Sequence, residues 1–280
     1  MAKIDQNSRP AIINSMKAAA WVTDIKRRAN IESDRALLLV VPTLKGMKVR
    51  FGRYLSGIHL PSPKIQNAVH EYPPVKNSRL VYEFGPEENG DFVPLWMLFQ
   101  DRYDEFWVVI EDVVQLNGAG GEAEHIGRVD SVAHFFFPPD TWQDIRKNRR
   151  YSFELMNQIP AYMESSQIKP ELKFLAAAIA LWRLSMLVRE GEEATEYLLH
   201  GLLSGPYVKV LEIHGIYEHV CRLVHALAVR HYLMLGNTDI ASKVFSGVYQ
   251  PTEKNQVDRN VSQSSVESDA KTIWSVWRGL

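Results

Sequence analysis

Apolar and polar positions follow two rhythms along the chain, one near 3.6 residues and one near 2. Residues 8–30 carry the first: Met16 and Ala20 sit four apart on one side, Trp21 and Ile25 on the adjoining side. Ser8 suits the start of that helix, Pro10 tolerates its first turn, and Lys26, Arg27 and Arg28 suit its negative end. From about residue 35 to 137 the pattern reads as strands. Ala36 to Val41 is an apolar run closed by Pro42, and Lys48 to Tyr54 alternates polar with apolar. Leu80 to Phe84 and Phe92 to Phe99 flank Glu88-Asn-Gly, a hairpin turn, although Pro94 confines the second run to an edge or to no strand at all. Phe106 to Val114 and Arg128 to Phe137 complete the set, the latter stopped by Pro138-Pro139. Between these runs, residues 57–78 read as a Pro-rich connection with a short helix near Ile65 to His70.

After residue 140 the helical rhythm returns over Thr141 to Met163, Pro170 to Arg189, Glu192 to Leu203, Tyr207 to Gly236 and Thr238 to Tyr249. Leu172 to Val188 is apolar nearly all round, the mark of a helix buried in the middle of a layer. Pro251 to Ala270 is polar and charged without an aromatic residue, so it is expected to form a flexible tail. The expected fold is therefore α+β. An N-terminal helix and a mainly antiparallel sheet make up a mixed region, 1–140, ahead of a helical region, 141–250, and a tail, 251–280. Pro138-Pro139 is a turn rather than a tether, so the first two regions are free to share one core.

Composition narrows the function classes. The apolar fraction is 46% and the charged fraction 23%, and 32 basic against 33 acidic residues leave a formal charge of −1. That balance excludes a surface built throughout to coat nucleic acid but leaves room for a local basic patch. A single cysteine, Cys221, admits no intramolecular disulfide, so a reducing, cytoplasmic setting is expected. The most apolar internal run, Phe174 to Trp182, is nine residues long, far short of the ~20 that cross a bilayer, so no membrane association is expected.

The richest local signal lies in Ile273, Trp274, Trp277 and Leu280. The two indoles are three residues apart and share one face of a helical turn. Leaving each exposed costs roughly 1.5–3 kcal/mol, so a hydrophobic shelter is expected. That shelter is either the chain's own core or a groove on a partner or second copy, reached through the polar stretch. A second signal is Arg146-Lys-Asn-Arg-Arg followed by Tyr151 and Phe153: Arg146, Lys147, Arg149, Arg150 and Tyr151 join cations to an aromatic ring, as single-stranded nucleic-acid binding requires. Lys26, Arg27 and Arg28 are candidates to extend that patch.

Other constellations are thinner. His214, Glu218, Cys221 and His225 lie 4, 3 and 4 apart on one stripe of the helix expected at 207–236. They are ligand types, yet the outer pair spans three turns and cannot share an ion, so no metal or cofactor is expected. Asn117-Gly-Ala-Gly-Gly lacks the Lys-Ser/Thr of a phosphate loop and leads into acidic residues. Asp101, Asp104, Glu105, Glu111 and Asp112, with His125 and His134 further on, offer acid–base chemistry on the expected sheet without a motif that fixes a geometry. Gly191-Glu-Glu-Ala-Thr-Glu-Tyr-Leu and Tyr232-x3-Gly236-x4-Ala241-x3-Phe245 resemble the second helix of a tetratricopeptide hairpin. The ~34-residue period and the Trp-x2-Leu-Gly start are missing, so the resemblance implies antiparallel helix pairs and no more. Together these features point to a non-enzymatic binding or assembly subunit working through protein–protein contacts or self-association, within a nucleoprotein complex or alone. Direct RNA or DNA binding through 146–153 and an enzyme built on the carboxylate/His cluster are the alternatives.

Overall fold

A computed structural model of the chain describes residues 8–44, 51–56, 59–115, 125–148, 153–189 and 191–236. The expected final helix at 238–249 and the tail at 251–280 lie outside the described residues. In chain order the helices are α1 (Arg9–Ala29), α2 (Asp34–Val40), α3 (Phe51–Leu55), α4 (Pro63–His70) and α5 (Ser78–Glu83). A two-stranded hairpin, β1 (Glu87–Glu88) and β2 (Asp91–Phe92), follows. Then come α6 (Phe106–Gln115), α7 (His125–Ala133), α8 (Pro139–Asn148), α9 (Phe153–Ser165), α10 (Leu172–Val188), α11 (Glu192–Ser204), α12 (Tyr207–Ile213) and α13 (Tyr217–Met234).

The fold is therefore mostly helical, and the α+β expectation is overturned. Ala36 to Val41 lies largely in α2, Leu80 to Phe84 in α5, Phe106 to Val114 in α6, and Arg128 to Phe137 in α7 and the turn after it. The physical reason is visible in α6. Phe106, Val109, Ile110 and Val113 are buried while Val108, Glu111 and Asp112 are exposed, which is the i, i+3, i+4, i+7 spacing of a helix. Val and Ile enrichment suggested a strand, but packing against α10 overrides that preference. The hairpin turn itself is where the residues placed it. Glu87 pairs with Phe92 and Glu88 with Asp91, and Asn89 and Gly90 take positive φ values of 53° and 92°.

The described chain divides into two compact units, Ile13–Val220 and a second formed by the residues up to Ile12 with those from Cys221 onward. In the first, α10 is the central helix, with Leu172 and every residue from Leu175 to Ser185 buried. It packs on α6 and α11 and touches α7 and α12. A hydrophobic cluster gathers around α1, where Trp21, Val22 and Ile25 meet Leu37, Leu44, Phe51, Tyr54 and Val69. In the second unit α13 buries Cys221, Leu223, Val224, Leu227, Ala228 and Tyr232 at helical spacing. The helix expected across 207–236 is broken: Gly215 adopts φ 70° between α12 and α13. The helix expected over 141–163 is likewise two elements, α8 and α9. Pro139 opens α8, where a missing N–H costs nothing.

Candidate functional site

Among the described residues, a group of interacting charges lies at the end of α1. Asp24 is buried and accepts from Arg27 at 2.6 Å and Arg28 at 2.7 Å, the i+3 and i+4 positions of the same helix. Arg28 also donates to Glu87 on β1, and Lys26 pairs with Asp34 at 2.5 Å on α2. The next hairpin residue, Glu88, accepts the Leu172 N–H at 2.7 Å and so caps the first turn of α10 from a distant segment. Burial raises the Glu88 pKa, Glu171 adds to the rise, and the amide bonds oppose it. The hairpin thus ties α1 to α10 through two adjacent carboxylates.

His214 belongs to the same neighbourhood. It is the C-cap of α12, and burial together with the Arg27 guanidinium lowers its pKa to about 4, against the opposite pull of Asp24. The imidazole is neutral at neutral pH. This places His214 away from the stripe on which it was expected. Gly215 ends α12, so His214 does not share a helix with Glu218, Cys221 and His225, all of α13. Glu218 is exposed, Cys221 is buried, and burial lowers the His225 pKa. Among the described residues no three His, Cys, Asp or Glu side chains gather in a way that could hold a metal ion.

The basic run is placed in part. Arg146 lies on α8 and donates to both oxygens of Asp130 at 2.8 and 2.7 Å, while Trp142 Nε1–H donates to Asp130 at 2.6 Å. Asp130 on α7 therefore clamps α8, and Arg146 acts as an interhelical tie. Lys147 is exposed; Arg149, Arg150 and Tyr151 lie outside the described residues. Lys26, Arg27 and Arg28 are engaged by Asp34, Asp24 and Glu87, so they form internal ties rather than an extension of that patch.

The sheet expected to carry acid–base chemistry does not form among the described residues, and its carboxylates are spread along a helix and its approach. Asp101 meets Arg183 at 3.3 Å, Glu105 meets Arg102, and Glu111 and Asp112 lie on the exposed side of α6. His134 is exposed beyond the end of α7, and His125 is the first residue of that helix. The loop at 117–121 and the candidate docking residues Ile273, Trp274, Trp277 and Leu280 lie outside the described residues. Among the described residues no helix is long and apolar enough to cross a membrane.

The partners that sequence reasoning missed are Asp130, Glu87 and Glu88. Their ties bridge 16, 59 and 84 positions, beyond any periodic signal. The pairing of Asp24 with Arg27 and Arg28 was legible, because those spacings face each other on any helix. No protein-family model, no curated protein and no solved structure matches this chain.

Proposed function

We propose that the chain is a non-enzymatic assembly subunit that acts through protein–protein contacts, with Ile273, Trp274, Trp277 and Leu280 as its docking residues. The observation that carries this reading is their setting in the sequence: two indoles three residues apart, reached through a polar stretch without aromatic residues. The described surface also carries exposed Val108, Leu187, Val188 and Ile213, side chains of the kind that contacts cover.

Deleting residues 270–280, or making Trp274→Ala with Trp277→Ala, is expected to abolish self-association or partner association. The melting temperature should stay within about 2 °C of the parent, a shift worth no more than about 1 kcal/mol at this size. Sedimentation velocity and thermal unfolding on the same samples decide it. Unchanged association, or a melting temperature lowered by far more than that, overturns the reading.

Nucleic-acid binding is the second reading. Exposed Lys147 beside the run's remaining cations Arg149 and Arg150 favours it. It predicts an affinity for single-stranded RNA that falls steeply with salt. Engagement of Arg146 by Asp130 leaves that patch with fewer charges than the sequence promised.

A further inference from the structure

The turn joining α12 to α13 is pressed against one ridge of α1. Gly215 takes a left-handed φ of 70°, its N–H bonds Glu212 O at 2.9 Å, and the Ile216 N–H bonds Leu211 O at 3.0 Å. This is the pairing of a glycine-terminated helix end. A Cβ at Gly215 would overlap Thr23 Oγ1 and lie 3.7 Å from Ala19 O. Ala19, Thr23 and Arg27 are four residues apart, so they line one face of α1. A turn seated on Ala19 and Thr23 therefore sets His214 beside Arg27, one helical turn further on.

The charges around His214 leave no room for another cation. Both charged groups that act on it come from α1, Arg27 and Asp24. Asp24 is already shared by Arg27 and Arg28, and Arg28 continues to Glu87. On the flanking helices, Glu212 of α12 and Glu218 of α13 are exposed. A neutral imidazole fits this niche, whereas an imidazolium would stand against Arg27 with a carboxylate whose two oxygens already serve two guanidiniums.

We propose that this turn is an acid-sensitive latch: protonation of His214 lifts the His214–Gly215 turn off α1 and frees the start of α13. Opening exposes Ile216, which is fully buried, and breaks the bond from Tyr217 OH to Leu203 O, so the latch is closed at neutral pH. The open form binds a proton with the ordinary histidine pKa of 6.5, the closed form only near 4. Linkage then favours opening by roughly 30-fold between pH 7.5 and pH 5. The latch stands apart from the assembly reading, since its residues lie within Ile13–Val220.

Hydrogen exchange on the full chain at both pH values, corrected for intrinsic exchange rates, tests it. Protection at the Gly215, Ile216 and Val220 amides should fall roughly 30-fold in acid and stay below that of the α10 amides at both pH values, the mark of a local opening rather than global unfolding. In His214→Gln the fall should vanish, and Arg27→Gln should shrink it. Constant protection at the three amides, or the same loss in His214→Gln as in the parent, overturns the latch. A ring titration of His214 in the parent gives a second readout that needs no variant. An apparent pKa near 6.5 in the closed protein would overturn the latch, whereas a value near 4 supports it.

Discussion

Arg183 shows what one residue contributes here. It sits on the central helix, 2% exposed, in surroundings otherwise apolar. Its guanidinium donates to Leu98 O at 2.5 Å, to Gln100 O at 3.3 Å and to Tyr103 OH at 3.0 Å, and faces Asp101 at 3.3 Å. It also lies over the Tyr103 and Phe106 rings, 5.1 and 5.5 Å from their centroids. The segment from 98 to 106 lacks long regular structure, so these donors satisfy backbone carbonyls that would otherwise be stranded beside α10. Arg183→Ala is expected to cost roughly 3–5 kcal/mol, the penalty for removing one partner of a buried ionic group. Arg183→Met keeps the volume and should cost less, about 1–3 kcal/mol for the orphaned carbonyls. Arg183→Lys retains the charge but not the planar fork, so it should fall between them. Urea unfolding of the three variants checks the order; equal costs for Ala and Met would mean that the lost donors and not the lost volume set the penalty.

At the scale of elements, the short hairpin does more than its four strand residues suggest. Through Glu87 it reaches α1 and through Glu88 the first turn of α10. Its position depends on Gly85, whose φ is 149° and whose added Cβ would overlap the Val93 carbonyl. Gly90, at the tip, has φ 92° with nothing within 4 Å of an added Cβ. Gly85→Ala should therefore destabilise by several kcal/mol, on the order of 3 or more, since both conformation and space forbid it. Gly90→Ala meets only the conformational penalty, about 1 kcal/mol. Thermal unfolding of the pair decides this; similar losses would show that the hairpin base is not held by the Gly85–Val93 contact. The same scale explains why α10 and α11 pair. Three residues join them, Arg189 and Gly191 with positive φ, and Ser185 and Thr195 hydroxyls meet at 2.7 Å across the buried seam.

For the whole molecule, pH acts through groups of opposite sign. The folded-state pKa of His214 lies below its unfolded value, so between about 4 and 6.5 the unfolded chain binds more protons. Stability is therefore full above 6.5 and lost as pH falls through that window, by up to about 3 kcal/mol from this residue. His225 acts in the same direction. Glu88 acts the other way: its raised pKa means that stability is lost as pH rises through its own range. The expected profile falls on acidification below about 6.5, and His214→Gln should flatten that fall. Melting temperatures measured from pH 7.5 down to 4.5 provide the check; a parallel shift of the whole profile would assign the acid sensitivity elsewhere.

Local order was legible wherever it depends on neighbours in sequence. The first helix and its basic end, the short helix at Pro63–His70, the Asn-Gly turn, the buried central helix and the helix from Glu192 follow from caps, spacing and glycine chemistry within a few residues. The short apolar runs were undetermined at that level, because a buried strand and a buried helical segment look alike over six to ten residues. Packing chose helix for them: α6 and α7 each present residues at helical spacing to α10. Tertiary structure also decided which charges became ties. Asp130 holds Arg146 and Glu87 holds Arg28 because the fold carries them together from remote parts of the chain. A pattern along one strand of sequence encodes which face of an element is apolar, but the partner of a charge is set only when two elements meet.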